Sequence, residues 1–111
     1  MGYADKERRA EYQRNHYTAN KEKYKRAATE TRQRRKQFFQ SLKESSPCVD
    51  CNKHFPHYVM EWDHVPGRGE KFAPVGRMIS EYGKARILEE IAKCDLLCGN
   101  CHRIRTWQRN Q

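Results

Sequence analysis

The chain has 111 residues, and one domain of that size with 36% hydrophobic residues and a mean hydropathy of −1.19 can bury only a thin apolar core. A formal net charge of +9 points to a polyanionic partner; nucleic acid fits better than membrane, because no amphipathic stretch carries a large apolar face. With no run of about 18 apolar residues and no signal-peptide core, the protein is expected in the cytoplasm, where thiols stay reduced and its five cysteines favour metal over a disulfide framework.

Residues 1–45 carry thirteen Lys and Arg against six Asp and Glu, so most of the basic excess lies in this arm. It has no proline, its only glycine is Gly2, and its composition favours helix. Tyr3, Ala10, Tyr17, Tyr24, Thr31 and Phe38 recur every seven residues, a stripe too thin for a coiled coil. Thr18 or Asn20 could cap a second helix, so one or two exposed helices are expected. The arm reads as a basic clamp on a phosphate backbone, with Arg34 and Arg35 among its contacts, or more blandly as a solvated charged face. Phe38, Phe39 and Leu42 are expected to dock the end of the helix on the cysteine-containing domain. Ser45-Ser46-Pro47 then marks a boundary, giving a 1–45 arm and a 46–111 domain.

In that domain the run Tyr58-Val-Met-Glu-Trp62-Asp63-His64 reads as a strand, and Val65 to Lys71, broken by Pro66, Gly67 and Gly69, as a loop. Ile87, Leu88, Ile91 and Ala92 have helical spacing and predict a core-facing helix over about residues 80–93. Asp95-Leu96-Leu97 is a short strand. Cys101 to Gln108 is the closing helix, with Ile104 and Trp107 expected to face inward. The fold class is α+β: a ββα unit around a metal.

Cys48-x-x-Cys51 and Cys98-x-x-Cys101, separated by 46 residues, supply four thiolates at two tight turns, the ligand set of a structural zinc. Gly99-Asn100 suits the second turn because both residues tolerate positive φ. Cys94 reads as a buried small hydrophobe. His54 and His57 are alternative zinc ligands that an intact set of four cysteines makes unnecessary, and His16 is a polar helix residue. His64, at a strand end beside a glycine-rich loop, can act as a general base toward water. Asp63 points to the opposite strand face and can bind a cation, with His102 on the first turn of the closing helix as the second ligand. Arg68 and Lys71 in the loop, and Arg103 and Arg105 on the helix, could grip phosphate or simply be solvated charge.

Asp63-His64, then Cys98-x-x-Cys101-His102 leading into a helix, resembles the HNH endonucleases, the ββα-metal group with a four-cysteine zinc site. The stretches Val-Pro-Gly-Arg-Gly-Glu-Lys and Ile-Ala-Lys-Cys-Asp-Leu-Leu-Cys-Gly-Asn-Cys-His, with the Tyr/Lys/Arg-rich first helix, are similar to small phage or prophage members. The resemblance implies a general base at His64, a catalytic Mg2+ or Mn2+ on Asp63 and His102, and a loop-bracing role for which Asp95 is the candidate. The expected activity is therefore hydrolysis of DNA phosphodiester bonds by a monomer or homodimer, one site cutting one strand. The competing readings are a zinc-knuckle DNA-binding module without catalysis, and a non-enzymatic factor of a phage packaging complex.

Overall fold

The structure, a computed structural model, describes residues 3–111, with side chains from residue 5 onward, so the side chain of Tyr3 in the heptad stripe lies outside the described residues. The elements run α1 (Tyr3–Ser45), β1 (Met60–His64), α2 (Val75–Glu81), α3 (Lys84–Ile91), β2 (Cys94–Cys98) and α4 (Gly99–Arg109). A single 3-10 turn, His57–Val59, covers what the sequence predicts as the start of the first strand. The result is a small α+β fold with one two-stranded antiparallel sheet. Among the described residues, no helix is long and apolar enough to cross a membrane.

The chain divides into two units, Met1–Thr31 and Arg32–Gln111. The first is helical throughout its described residues, and nearly all its side chains are exposed. The break anticipated at Thr18 to Asn20 is absent. Thr18 Oγ1 donates to the Arg14 carbonyl at 2.9 Å and Asn20 Nδ2 to the His16 carbonyl at 2.7 Å. Both side chains bond back into their own helix instead of capping a new one. Tyr17 and Tyr24 stack at 5.9 Å and Tyr12 and His16 at 6.1 Å, pairs that helical spacing brings face to face.

The second unit takes in the end of α1, because Phe39 (1% exposed) is buried with Val75, Met78, Ile87 and Cys94, and Leu42 packs on that cluster. The division into these two units falls inside the helix. Phe38 docks less deeply than expected; it is part-exposed, with the Lys84 ammonium 3.6 Å from its ring centre. β1 and β2 pair in the register Met60↔Cys98 through His64↔Cys94, and two helices interrupt the hairpin. The single helix predicted over about 80–93 is two: Tyr82 is extended, and Gly83 stands at the N-cap of α3. Ile87 is buried and Ile91 half-buried, as their spacing predicts, whereas Leu88 and Ala92 are exposed. A second cluster gathers Cys48, Met60, Leu96, Leu97 and Cys98, and Trp62 packs against both clusters.

Ile104 and Trp107 do not face inward; they are 54% and 65% exposed. The sheet-facing side of α4 carries His102, Arg105 and Arg109, because the strands opposite present Glu61, Asp63 and Asp95. Charge complementarity, not apolar burial, sets the rotation of this helix.

Truncating Phe39 to Ala is expected to cost about 3–5 kcal/mol, the usual penalty for emptying a buried aromatic site. Trp107→Ala should change stability by no more than about 0.5 kcal/mol. Urea unfolding of the two variants checks the contrast, and equal losses would contradict the observed burial.

Candidate metal centre and flanking carboxylates

The sulfur atoms of Cys48, Cys51, Cys98 and Cys101 all lie within 4.8 Å of one another, close enough to hold a metal such as zinc. A tetrahedral zinc with bonds of about 2.3 Å separates its sulfurs by about 3.8 Å, so the set fits that ion with little movement. Two local structures bring the thiols together. In the first knuckle Asn52 N–H donates to the Cys48 carbonyl (2.8 Å) and Cys48 N–H to the Lys53 carbonyl (2.9 Å), closing a turn in which Asn52 takes φ +60°. The left-handed residue is thus Asn52, not the expected Gly99-Asn100, which are the first two residues of α4. In the second knuckle Cys98 is the N-cap of α4, and its sulfur accepts from Cys101 N–H. Val49 N–H donates to the Leu96 carbonyl at 2.9 Å and seats the first knuckle on β2.

Burial raises the Cys48 thiol, but hydrogen bonds within the two knuckles outweigh it and bring its pKa down to about 6. Burial, joined by the neighbouring sulfurs, pushes Cys101 up to about 12. Cys94 lies outside the cluster, at the first position of β2; burial drives its thiol up to about 11, in keeping with an inert buried side chain. His54 and His57 are not in the cluster and instead meet Glu44.

Asp63 and His102 come together beside this centre, with Asp63 Oδ1 3.3 Å from His102 Nε2. The other ring nitrogen of His102 meets the Glu61 carboxylate, a residue that sequence reasoning passed over although strand alternation puts it on the same face as Asp63. Asp63 is 4% exposed, and Arg109 grips both of its oxygens at 2.8 Å. Arg105 links Asp50 (2.6 Å), Asp95 (2.9 Å) and Asp63 (3.3 Å), joining the first knuckle, β2 and β1 to α4. Burial pushes the Asp63 carboxyl up, yet Arg109, His102 and Arg105 together hold it below its ordinary value.

His64 is not part of this group. Its Nε2 lies 2.9 Å from Glu90 Oε2 on the opposite face of β1, so the structure unites Asp63 with His102 and gives His64 a different partner. Glu90 is fully buried; burial raises its pKa, but Lys93, the Phe72 N–H and His64 bring it down to about 2. Nothing in the helical pattern marked Glu90, although a carboxylate at a core-facing position, one residue before Ile91, was the available signal.

Of the expected phosphate contacts, Arg34, Lys71 and Arg103 are exposed. Arg35 donates to the Ile79 carbonyl at 2.6 Å, and Arg68 donates to Asp95 at 2.8 Å. Arg105 is engaged by its three carboxylates. Asp95 thus ties the loop after β1 to α4 through Arg68 and Arg105. No protein-family model, no curated protein and no solved structure matches the chain.

Purified protein is expected to carry one zinc per chain, by elemental analysis, and to lose its near-UV circular dichroism when a strong chelator removes the metal. Thiols still protonated at neutral pH, Cys101 above all, shed their protons on binding, so zinc affinity should fall as pH is lowered; a fold and an affinity indifferent to chelator and pH would rule out a structural zinc. Arg105→Ala should destabilise the domain by about 2–4 kcal/mol, because it strips a counter-charge from partly buried carboxylates, and Arg105→Lys should recover little of that loss since an ammonium cannot reproduce the fork on Asp50.

Proposed function

We propose that the protein is a metal-dependent DNA endonuclease of the HNH type. The single observation that carries this reading is the approach of Asp63 and His102 beside the four-cysteine centre, with His64 on the next residue of the same strand end. A carboxylate and an imidazole 3.3 Å apart are spaced as neighbouring ligands of one hard divalent cation. Mg2+ or Mn2+ bound there would supply Lewis-acid polarisation of a phosphate and stabilise the departing 3′-oxygen. Zinc at Cys48, Cys51, Cys98 and Cys101 is structural.

The chain's own residues have separate tasks. His64 takes a proton from the attacking water as general base. Asp63 and His102 hold the cation, and this requires Asp63 to give up at least one contact with Arg109 or Arg105. The released guanidinium is then available to a phosphate oxygen. Lys71, Arg103 and Arg34 meet the phosphate backbone, and the basic first unit adds counterion release. One site of this kind nicks one strand; cutting both requires a dimer or a second encounter.

A second reading, a zinc-knuckle module that binds DNA without cutting it, is favoured by the full engagement of Asp63 with arginines. Recruitment to a phage packaging complex would be one use of such a module. The two readings part in one experiment: supercoiled plasmid is incubated with zinc-loaded protein and added Mg2+ or Mn2+, beside His64→Ala and Asp63→Ala/His102→Ala. The nuclease reading expects cation-dependent open-circle product, reduced at least about a hundredfold in each variant while DNA binding persists. Retarded but uncut plasmid in both cations would move the binding module to the front.

A further inference from the structure

Glu90 is a fully buried carboxylate in a domain whose hydrophobic core is small, and its two oxygens have different duties. Oε1 accepts from Lys93 Nζ at 2.9 Å, with Arg86 at 3.6 Å. Oε2 accepts from the Phe72 N–H at 2.9 Å and lies 2.9 Å from His64 Nε2. The Phe72 backbone and the Lys93 ammonium hold the carboxylate from two sides, and Lys93 also donates to the Glu70 carbonyl at 2.8 Å. Loop residues 70–72, α3 and the end of β1 therefore meet at this one group. Burying a carboxylate is costly unless it is paired and hydrogen-bonded. Lys93, Arg86 and Phe72 would suffice to satisfy it, so its contact with His64 is not needed to keep Glu90 in place.

An ionised carboxylate can only accept hydrogen bonds, so the ring nitrogen facing Glu90 must be the one that carries hydrogen. We infer that Glu90 is the positioning residue of His64: it accepts the Nε2–H, fixes the ring plane and leaves the lone pair on Nδ1. In the nuclease reading, on which the functional half of this inference rests, Nδ1 is then the atom that takes the proton from water. The arrangement follows the logic of a carboxylate that orients a histidine base without itself exchanging a proton. Glu90 touches neither DNA nor water in this scheme and acts through His64 alone.

The structural half is tested on the zinc-loaded full chain by NMR of selectively labelled histidine at pH 8. The wild type is expected to show His64 with hydrogen on Nε2 and none on Nδ1, and an exchange-protected ring proton coupled to Nε2. Glu90→Ala should lose that proton, whereas Glu90→Gln, which keeps an acceptor oxygen, should retain it. An Nδ1–H tautomer, or a ring proton unaffected by Glu90→Ala, would overturn the assignment. If Glu90→Ala does not fold, Glu90→Gln carries the comparison, and an Nδ1–H tautomer or an unprotected Nε2 proton in the wild type would still overturn the assignment. The functional half is read from plasmid nicking by folded variant: Glu90→Ala should lower kcat about tenfold or more with KM for DNA unchanged, the scale of losing a group that orients a reactive histidine, and Glu90→Gln should lie between it and wild type. Unchanged kcat in a folded Glu90→Ala would make Glu90 a structural clamp only. If the wild type does not nick at all, the nuclease reading fails, and the tautomer measurement still decides whether Glu90 sets the ring.

Discussion

Two pairs of thiols separated by 46 residues have to converge on one point, and that convergence organises everything downstream of Pro47. Cys48 and Cys51 stand before β1, and Cys98 and Cys101 stand where β2 passes into α4. Bringing them together sets β1 against β2, because Met60 pairs with Cys98, and it starts α4 at a defined point because Cys98 is its N-cap. With so few apolar residues to bury, a metal held by the four sulfurs would supply cohesion that a core of this size lacks. The second cluster is in effect a shell around that point, with Met60, Leu96 and Leu97 packed beside the thiols.

Around this anchor the small sheet has two chemically distinct faces. On one, Glu61, Asp63 and Asp95 meet His102, Arg105 and Arg109 of α4. On the other, His64 meets a single buried carboxylate from α3. Adjacent residues of one strand are thereby drawn into separate networks, as a period of two requires. Asp63 has several cationic partners and could release one without becoming uncompensated. Glu90 is fully buried and is held by Lys93, Arg86, the Phe72 N–H and His64 together.

Much of this was legible from the residues. The cysteine spacing identified the thiol cluster, strand alternation separated Asp63 from His64, and the helix-forming composition of the first 45 residues anticipated α1. What escaped has specific causes. Thr18 and Asn20 are good caps in isolation but equally good partners for their own helix's carbonyls. The one-turn spacing of Val75 and Met78 in the seven residues of α2 is too short to show a period. Ile104 and Trp107 are apolar yet exposed, because the acidic strands opposite α4 favour its basic face over its apolar one. Glu61 and Glu90 carry only a positional signal, a strand face and a core-facing helix position, because their partners, His102 and His64, lie 41 and 26 positions away and only tertiary structure brings them close.

The hairpin's long interruption bears on the order in which the domain assembles. His64 and Cys94, at its inner end, are already thirty positions apart, so no tight turn can nucleate the pairing of β1 with β2. Closing a loop of that length carries an entropic cost that the first few backbone bonds cannot recover. α2 and α3 pack on Phe39, which shortens the effective loop between the strands. The ladder is instead held at both ends: the inner one by Val65 N–H on the Lys93 carbonyl, the outer one by the converging thiols. A metal held by the thiols would pin the outer end, so that the sheet would close between two anchored ends and not from a turn.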